Sequence, residues 1–214
     1  MMEATRLIAV RHGETAWNVD TRIQGQLDIG LNDTGLRQAR QVGRALGDEP
    51  ISAIYASDLA RAWQTAEAIG AARGLAVVAE PRLRERAFGS FEGRTFAEID
   101  AETPDDARRW RTREPDYRPG GHGESLLTFR ERVTGVAEEL AARHAGELIV
   151  LVAHGGVMDV LYRAATRQDL QAPRTWQLGN AAINRLLWTP QGLSLVGWGD
   201  VGHLVDDALD ETID

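Results

Sequence analysis

Six consecutive apolar residues, Leu148-Ile-Val-Leu-Val-Ala153, run straight into His154-Gly-Gly156 and then into a helical pattern. A strand apolar on both faces must be covered on both faces. The run therefore predicts a central parallel strand with helices packed above and below, an α/β architecture. Other segments repeat the theme. Leu7 to Val10 is a short apolar run that stops abruptly at Arg11 and His12, and Gly13 is expected to turn the chain sharply. Ile51 to Ser57 reads as a buried strand leading directly into a helix over Asp58 to Ile69, with Leu59, Ala62, Ala66 and Ile69 inward. Leu75 to Ala79 reads as a further strand.

Between these strands lie helices with clear apolar stripes. Leu36, Ala39, Val42 and Leu46 recur at helical spacing, with Thr34 as the expected cap and Gly47 and Pro50 as the stop. Ser125 opens a long helix to about Arg143, with Leu126, Phe129, Val133, Val136, Ala137 and Leu140 facing inward. After His154-Gly-Gly, a helix places Val157, Val160, Leu161 and Ala164 inward. Ala181–Trp188 and Leu193–Trp198 read as a hairpin around Thr189 to Gly192. Asn18 to Asp33 is polar and turn-rich, a long surface loop of the functional sort. Residues from about 90 to 124, with Trp110, Tyr117, three prolines and Gly120-Gly-His-Gly123, form a helical or irregular insertion that is a candidate lid. The acidic tail from Asp206 is expected to fray. The whole reads as one domain of 214 residues.

In open α/β sheets, ligands bind beyond the carboxyl ends of the strands. Arg11 and His12, the Ser57-to-Arg61 turn, His154-Gly-Gly and Glu85 all follow strands. If those strands are parallel, they gather two histidines, at least two arginines and a carboxylate on one rim. Arg61 falls in the first turn of its helix, where a cation opposes the helix dipole, so its placement invites a functional reason. Glu85 alone would read as a surface ion pair with Arg84 or Arg86. Together, the groups suit phosphoryl transfer. A neutral His12 attacking phosphorus would form a phosphohistidine, with Arg11, Arg61 and His154 holding the equatorial oxygens. Glu85 would protonate the departing alkoxide and then take a proton from water. No metal-ligand spacing is present, and no cofactor is called for.

Composition narrows the partners. A net charge of −8 argues against a nucleic-acid or anionic-membrane binder, although a few clustered arginines still make a positive pocket for a small anionic substrate. The absence of cysteine removes disulfides, thiol catalysis and thiolate metal sites. No run reaches transmembrane length, so a cytoplasmic protein is the default expectation. Oligomeric state is open, with a homodimer allowed.

Arg11-His12-Gly13-Glu14-Thr15 with Trp17-Asn18 resembles the signature of the histidine phosphatase (phosphoglycerate mutase-like) superfamily. The resemblance continues through Arg22-Ile-Gln-Gly-Gln-Leu-Asp28, Ser57-Asp-Leu-Ala-Arg-Ala-Trp-Gln-Thr-Ala66, Leu83-Arg-Glu85, Gly123-Glu-Ser125 and Val152-Ala-His-Gly-Gly156. It implies a three-layer α/β/α sandwich whose mostly parallel open sheet has one antiparallel edge strand. It also implies His12 as the phosphorylated nucleophile, a phosphate pocket of Arg11, Arg61 and His154, and Glu85 as proton donor. Asn18, Gln24, Gly25 and Gly155 would contact substrate. Glu85-Arg-Ala-Phe-Gly89 lacks the His and Tyr of the mutases' Glu-Arg-His-Tyr-Gly segment, and the later mutase Lys is absent, which favours the small phosphatases. Arg86, Arg111 and Arg113 are mutase-like and keep a carboxylated substrate open. The alternative is a mutase primed by 2,3-bisphosphoglycerate. A non-catalytic phospho-ligand-binding member would typically have lost His12, Arg61 or Glu85, and all are present.

Overall fold

A computed structural model describes residues 3–204, so the expected frayed tail lies outside the described residues. Strands β1 (Thr5–Arg11), β2 (Ile51–Ala56), β3 (Val77–Ala79), β4 (Leu148–Ala153), β5 (Ile183–Thr189) and β6 (Gly192–Asp200) form one sheet in the order β3-β2-β4-β1-β5-β6. Strand β4 is buried along its whole length, as an all-apolar strand must be. It pairs in parallel with β1 and β2, and β2 pairs in parallel with β3. Strand β5 runs antiparallel to β1, and the hairpin adds β6 outside it. The single reversed strand therefore sits one place in from the edge.

The pleat divides the apolar residues between two layers. Ile8, Val10, Val150 and Val152 face α2 (Asp33–Ala45) and α3 (Ala60–Ala71), where Val42, Leu46, Ala62, Ala66 and Ile69 meet them. Leu7, Ala9, Ile149 and Leu151 face α6 (Leu126–Arg143) and α7 (Gly155–Thr166), where Phe129, Val133, Val136, Leu140, Val157 and Leu161 fill the space. Ala164 is half-buried rather than fully inward. Each buried Leu, Ile, Val or Phe contributes roughly 1.5–3 kcal/mol. The insertion contains α4 (Phe96–Glu102) and α5 (Pro104–Arg111), which close over a small core of Phe91, Ile99 and Ala107.

Several local expectations are corrected. Helix α2 is capped by Asn32, whose side chain accepts from Gly35 N at 2.8 Å, while Thr34 lies inside the first turn. Helix α3 begins at Ala60 rather than Asp58, because its cap comes from afar: Asp28 Oδ1 accepts from Ala60 N at 2.7 Å. Asp58 instead pairs with Arg84 at 2.6 Å. Gly13 is not required for a left-handed turn. A Cβ there would stand 2.5 Å from the Gly35 carbonyl oxygen, so the need is close approach of two backbones. The first two residues of the expected Asn18-to-Asp33 loop instead end a short helix, α1 (Ala16–Val19), with Thr15 and Asn18 forming a reciprocal cap.

Candidate active site

The carboxyl ends of β1, β2 and β4 point to one rim, and the predicted residues assemble there. His12 follows β1 and is buried, with its N–H bonded to the Ala153 carbonyl at the end of β4. Its Nδ1 lies 2.7 Å from the Gly13 carbonyl oxygen. A carbonyl accepts and cannot donate, so Nδ1 carries the hydrogen and Nε2 keeps its lone pair. Burial, reinforced by the Arg11 and Arg61 charges, holds the His12 pKa well below the usual imidazole range. The ring is thus neutral and nucleophilic at neutral pH.

His154 caps α7 and stands with its ring centroid 5.3 Å from that of His12. Its Nε2 pairs with Ser57 Oγ at 2.8 Å, and its Nδ1 is buried without a partner among the described residues. Burial first, and Arg61 second, push its pKa well down too. Arg61 is almost fully buried on the first turn of α3. It donates to the carbonyls of Leu27 at 2.9 Å and Gly25 at 2.7 Å, and burial brings its pKa to about 10. Arg11 donates to the Leu178 carbonyl, and burial lowers its pKa. The Nε atoms of both arginines are buried with no partner among the described residues. Buried donors left open at one place are costly unless an anion completes them.

Glu85 is not in the surface ion pair that its neighbours suggested. Its Oε1 accepts from Arg86 N at 2.8 Å and its Oε2 from Gly156 N, in the first turn of α7, at 2.9 Å. A Cβ on Gly156 would fall 2.2 Å from Glu85 Oε1, so the second glycine of His154-Gly-Gly exists to admit this carboxylate.

Two cavities open from these residues. The smaller, of about 220 Å³, is lined by Arg11, His12, Asn18, Gln24, Gly25, Arg61, Glu85 and Gly155 among others. All the expected site residues except His154 line it, and His154 stands directly behind against His12. Asn18 presents its Oδ1 to Thr15 N at 3.0 Å, while Gln24 Oε1 accepts from the Thr15 hydroxyl at 3.0 Å. The larger cavity, of about 520 Å³, shares the walls Arg11, Glu85, Phe88, Trp110 and Gly155, and continues toward Arg86, Arg113, Asp159 and Arg174. Among the described residues no group of three His, Cys, Asp or Glu side chains could hold a metal ion.

Sequence reasoning missed the segment that braces the nucleophile. Asn180 Nδ2 donates to the carbonyls of His12 at 3.1 Å and Gly13 at 3.3 Å. Ala181, at φ 56, bonds its N–H to the Arg11 and His12 carbonyls. A non-glycine residue in that left-handed region carries strain of about 1 kcal/mol or more, a cost met where backbone must be aimed. The segment before β5 has no periodicity, and nothing local marks it.

The two depressed histidines give a stability prediction. Their native values lie below the unfolded value of about 6.5, so below that pH the unfolded chain binds more protons than the native one. Stability is then lost as pH falls from 7.5 to 5.5, at up to roughly 1.4 kcal/mol per pH unit for each histidine once well below 6.5. His203, also lowered by burial, acts in the same direction. Urea midpoints measured across that range should fall, and saturating inorganic phosphate should flatten the decline.

Residues 7–201 match the family described as the histidine phosphatase superfamily, branch 1. The chain is similar to the metal-independent phosphoserine phosphatase of Arabidopsis thaliana, with 37% identity covering 94% of this chain and 84% of that one. It is equally similar to the probable phosphoglycerate mutase GpmB of Proteus mirabilis, at 38% identity over 94% of this chain and 96% of that protein. Among solved structures, a mycobacterial glucosyl-3-phosphoglycerate phosphatase in complex with VO3 superposes with a TM-score of 0.80 at 35% identity, covering 91% of this chain and 98% of that one.

Proposed function

The chain belongs to the histidine phosphatase superfamily, and from that premise we propose that it hydrolyses small phosphomonoesters through a phosphohistidine on His12. The observation that carries this reading is the junction of the two cavities at Glu85. The smaller cavity has the cations for a phosphoryl group, the larger has room for an alcohol, and the carboxyl lines both.

In this reading His12 Nε2 forms the P–N bond as the P–O bond to the leaving group breaks. Arg11 and Arg61 offset the charge that spreads over the equatorial oxygens, and neutral His154, behind His12, completes the phosphate pocket. Asn18 and Gln24 meet the phosphoryl group from the loop side, and the backbone of Gly25 and Gly155 closes the pocket around it. Glu85 gives its proton to the departing alkoxide, then takes one from the water that attacks the phosphohistidine. The phosphatase relatives support hydrolysis.

A mutase is the second reading, favoured by the GpmB relative and by Arg86 and Arg113 in the larger cavity. Interconversion of 2- and 3-phosphoglycerate that requires 2,3-bisphosphoglycerate, at a rate above hydrolysis, would establish it. For the phosphatase, hydrolysis of p-nitrophenyl phosphate should be unchanged within about twofold by a chelator, since cationic side chains take the part a metal would play. Vanadate, which can take up five-coordinate geometry, should inhibit. Loss of activity in chelator with recovery on adding Mg²⁺ would contradict this reading.

A further inference from the structure

The ends of β2 and β4 are neighbours, because Ala56 pairs with Val152 and Ser57 N bonds to the Val152 carbonyl at 3.0 Å. That register brings the Ser57 hydroxyl beside the His154 ring, with Oγ 2.8 Å from Nε2. Both residues are fully buried. A hydroxyl has one hydrogen to give and two lone pairs with which to accept. One lone pair of Ser57 Oγ already accepts from Leu59 N at 3.3 Å. Were His154 Nε2 the donor, the hydroxyl hydrogen would be buried with no acceptor among the described residues, a costly arrangement. With the hydroxyl as donor, both groups are satisfied. Nε2 then accepts, and a neutral ring must carry its hydrogen on Nδ1. That Nδ1 makes no cap bond to α7 and has no partner among the described residues, on a ring packed against His12.

We propose that Ser57 is a positioning residue that fixes His154 in its Nδ1–H form, so that an uncharged ring offers the phosphoryl group a hydrogen-bond donor. The inference rests on the phosphoryl group occupying the pocket beside His12. The two histidines are then set in opposite senses by their partners. The Gly13 carbonyl accepts from His12 Nδ1 and leaves Nε2 a lone pair for attack. The Ser57 hydroxyl donates to His154 Nε2 and leaves Nδ1 a hydrogen. In its other form His154 would turn a lone pair toward an anion, and a donor would become a repulsion. Without the hydroxyl, nothing holds the hydrogen on Nδ1.

The test reads the ring directly. Wild type and Ser57→Ala are labelled with nitrogen-15 histidine, and two-bond proton–nitrogen correlation at neutral pH shows which ring nitrogen holds the hydrogen. The chain has five histidines, and the signal missing from His154→Gln identifies the one required. Wild-type His154 should carry its hydrogen on Nδ1. Ser57→Ala should move it wholly or in part to Nε2, while kcat/KM on p-nitrophenyl phosphate falls about tenfold or more. Ser57→Thr, which restores a hydroxyl, should recover both. A wild-type ring with its hydrogen on Nε2, or with both nitrogens protonated, overturns the proposal without any variant having to fold. So does Ser57→Ala with an unchanged ring, or with a changed ring and wild-type kcat/KM. Absence of a phosphoenzyme in wild type would instead overturn the phosphohistidine reading, a result on which the ring measurement in the unliganded protein does not depend.

Discussion

His12→Ala should fold and lose roughly 10⁴–10⁶-fold in kcat, the scale of removing a nucleophile from a site that otherwise stays assembled. The fold should survive because, among the described residues, the His12 ring makes a single side-chain hydrogen bond, to the adjacent Gly13 carbonyl, while its backbone bonds to Ala153, Ala181 and Asn180 remain. The loss should be nearly uniform across substrates, since every phosphoester must pass through the same P–N bond. Arg61 would be a poorer probe. Its guanidinium ties down the Gly25 and Leu27 carbonyls, so its removal perturbs the loop as well as the pocket. Steady-state rates of His12→Ala on an aryl and an alkyl phosphate, with circular dichroism as the folding control, check the expectation.

Glu85→Gln should show the opposite pattern, a loss that depends on the leaving group. An alkoxide needs a proton as the P–O bond breaks, whereas p-nitrophenolate barely does. Phosphorylation of His12 should therefore slow by roughly 10²–10⁴-fold with alkyl phosphates and little with p-nitrophenyl phosphate. Dephosphorylation should slow for both, because in the proposed mechanism the same residue activates water, so phosphoenzyme should accumulate with the aryl ester. The glutamine keeps an oxygen for one of the two N–H donors, Arg86 N and Gly156 N, which now hold the carboxylate. Rapid-quench time courses of phosphoenzyme and product separate the two steps. Equal slowing of the first step with both esters would mean that Glu85 positions or repels, with His154 the next candidate for proton donor.

Elements whose signal is local were legible in the sequence. The apolar run 148–153 became the fully buried centre of the sheet, and the stripe from Leu126 to Leu140 became the inner face of α6. Arg11, His12, Arg61, Glu85 and His154 were legible as a set because each follows a strand, and a parallel sheet brings those ends together. Features that depend on a distant partner were not. Asp28 caps a helix 32 residues away, and Gly13 is a glycine because of Gly35. Asn180, Ala181 and Arg174 lie in a segment without periodicity, so their convergence on β1 and the larger cavity is fixed by tertiary packing. Asp159 lies between the inward-facing Met158 and Val160 of α7, where a helical stripe gives no reason to expect a buried carboxylate shared by two arginines.

The most direct test of the central claim is to catch the phosphoryl group on its nucleophile. Wild-type protein is mixed with a phosphoester for milliseconds, quenched in either acid or alkali, and the bound phosphate is located by mass spectrometry of peptides. The expected result is a phosphate on His12 that is stable to alkali and lost in acid. Turnover with no phosphate on His12 under either quench, or a covalent phosphate located on another residue, would contradict it.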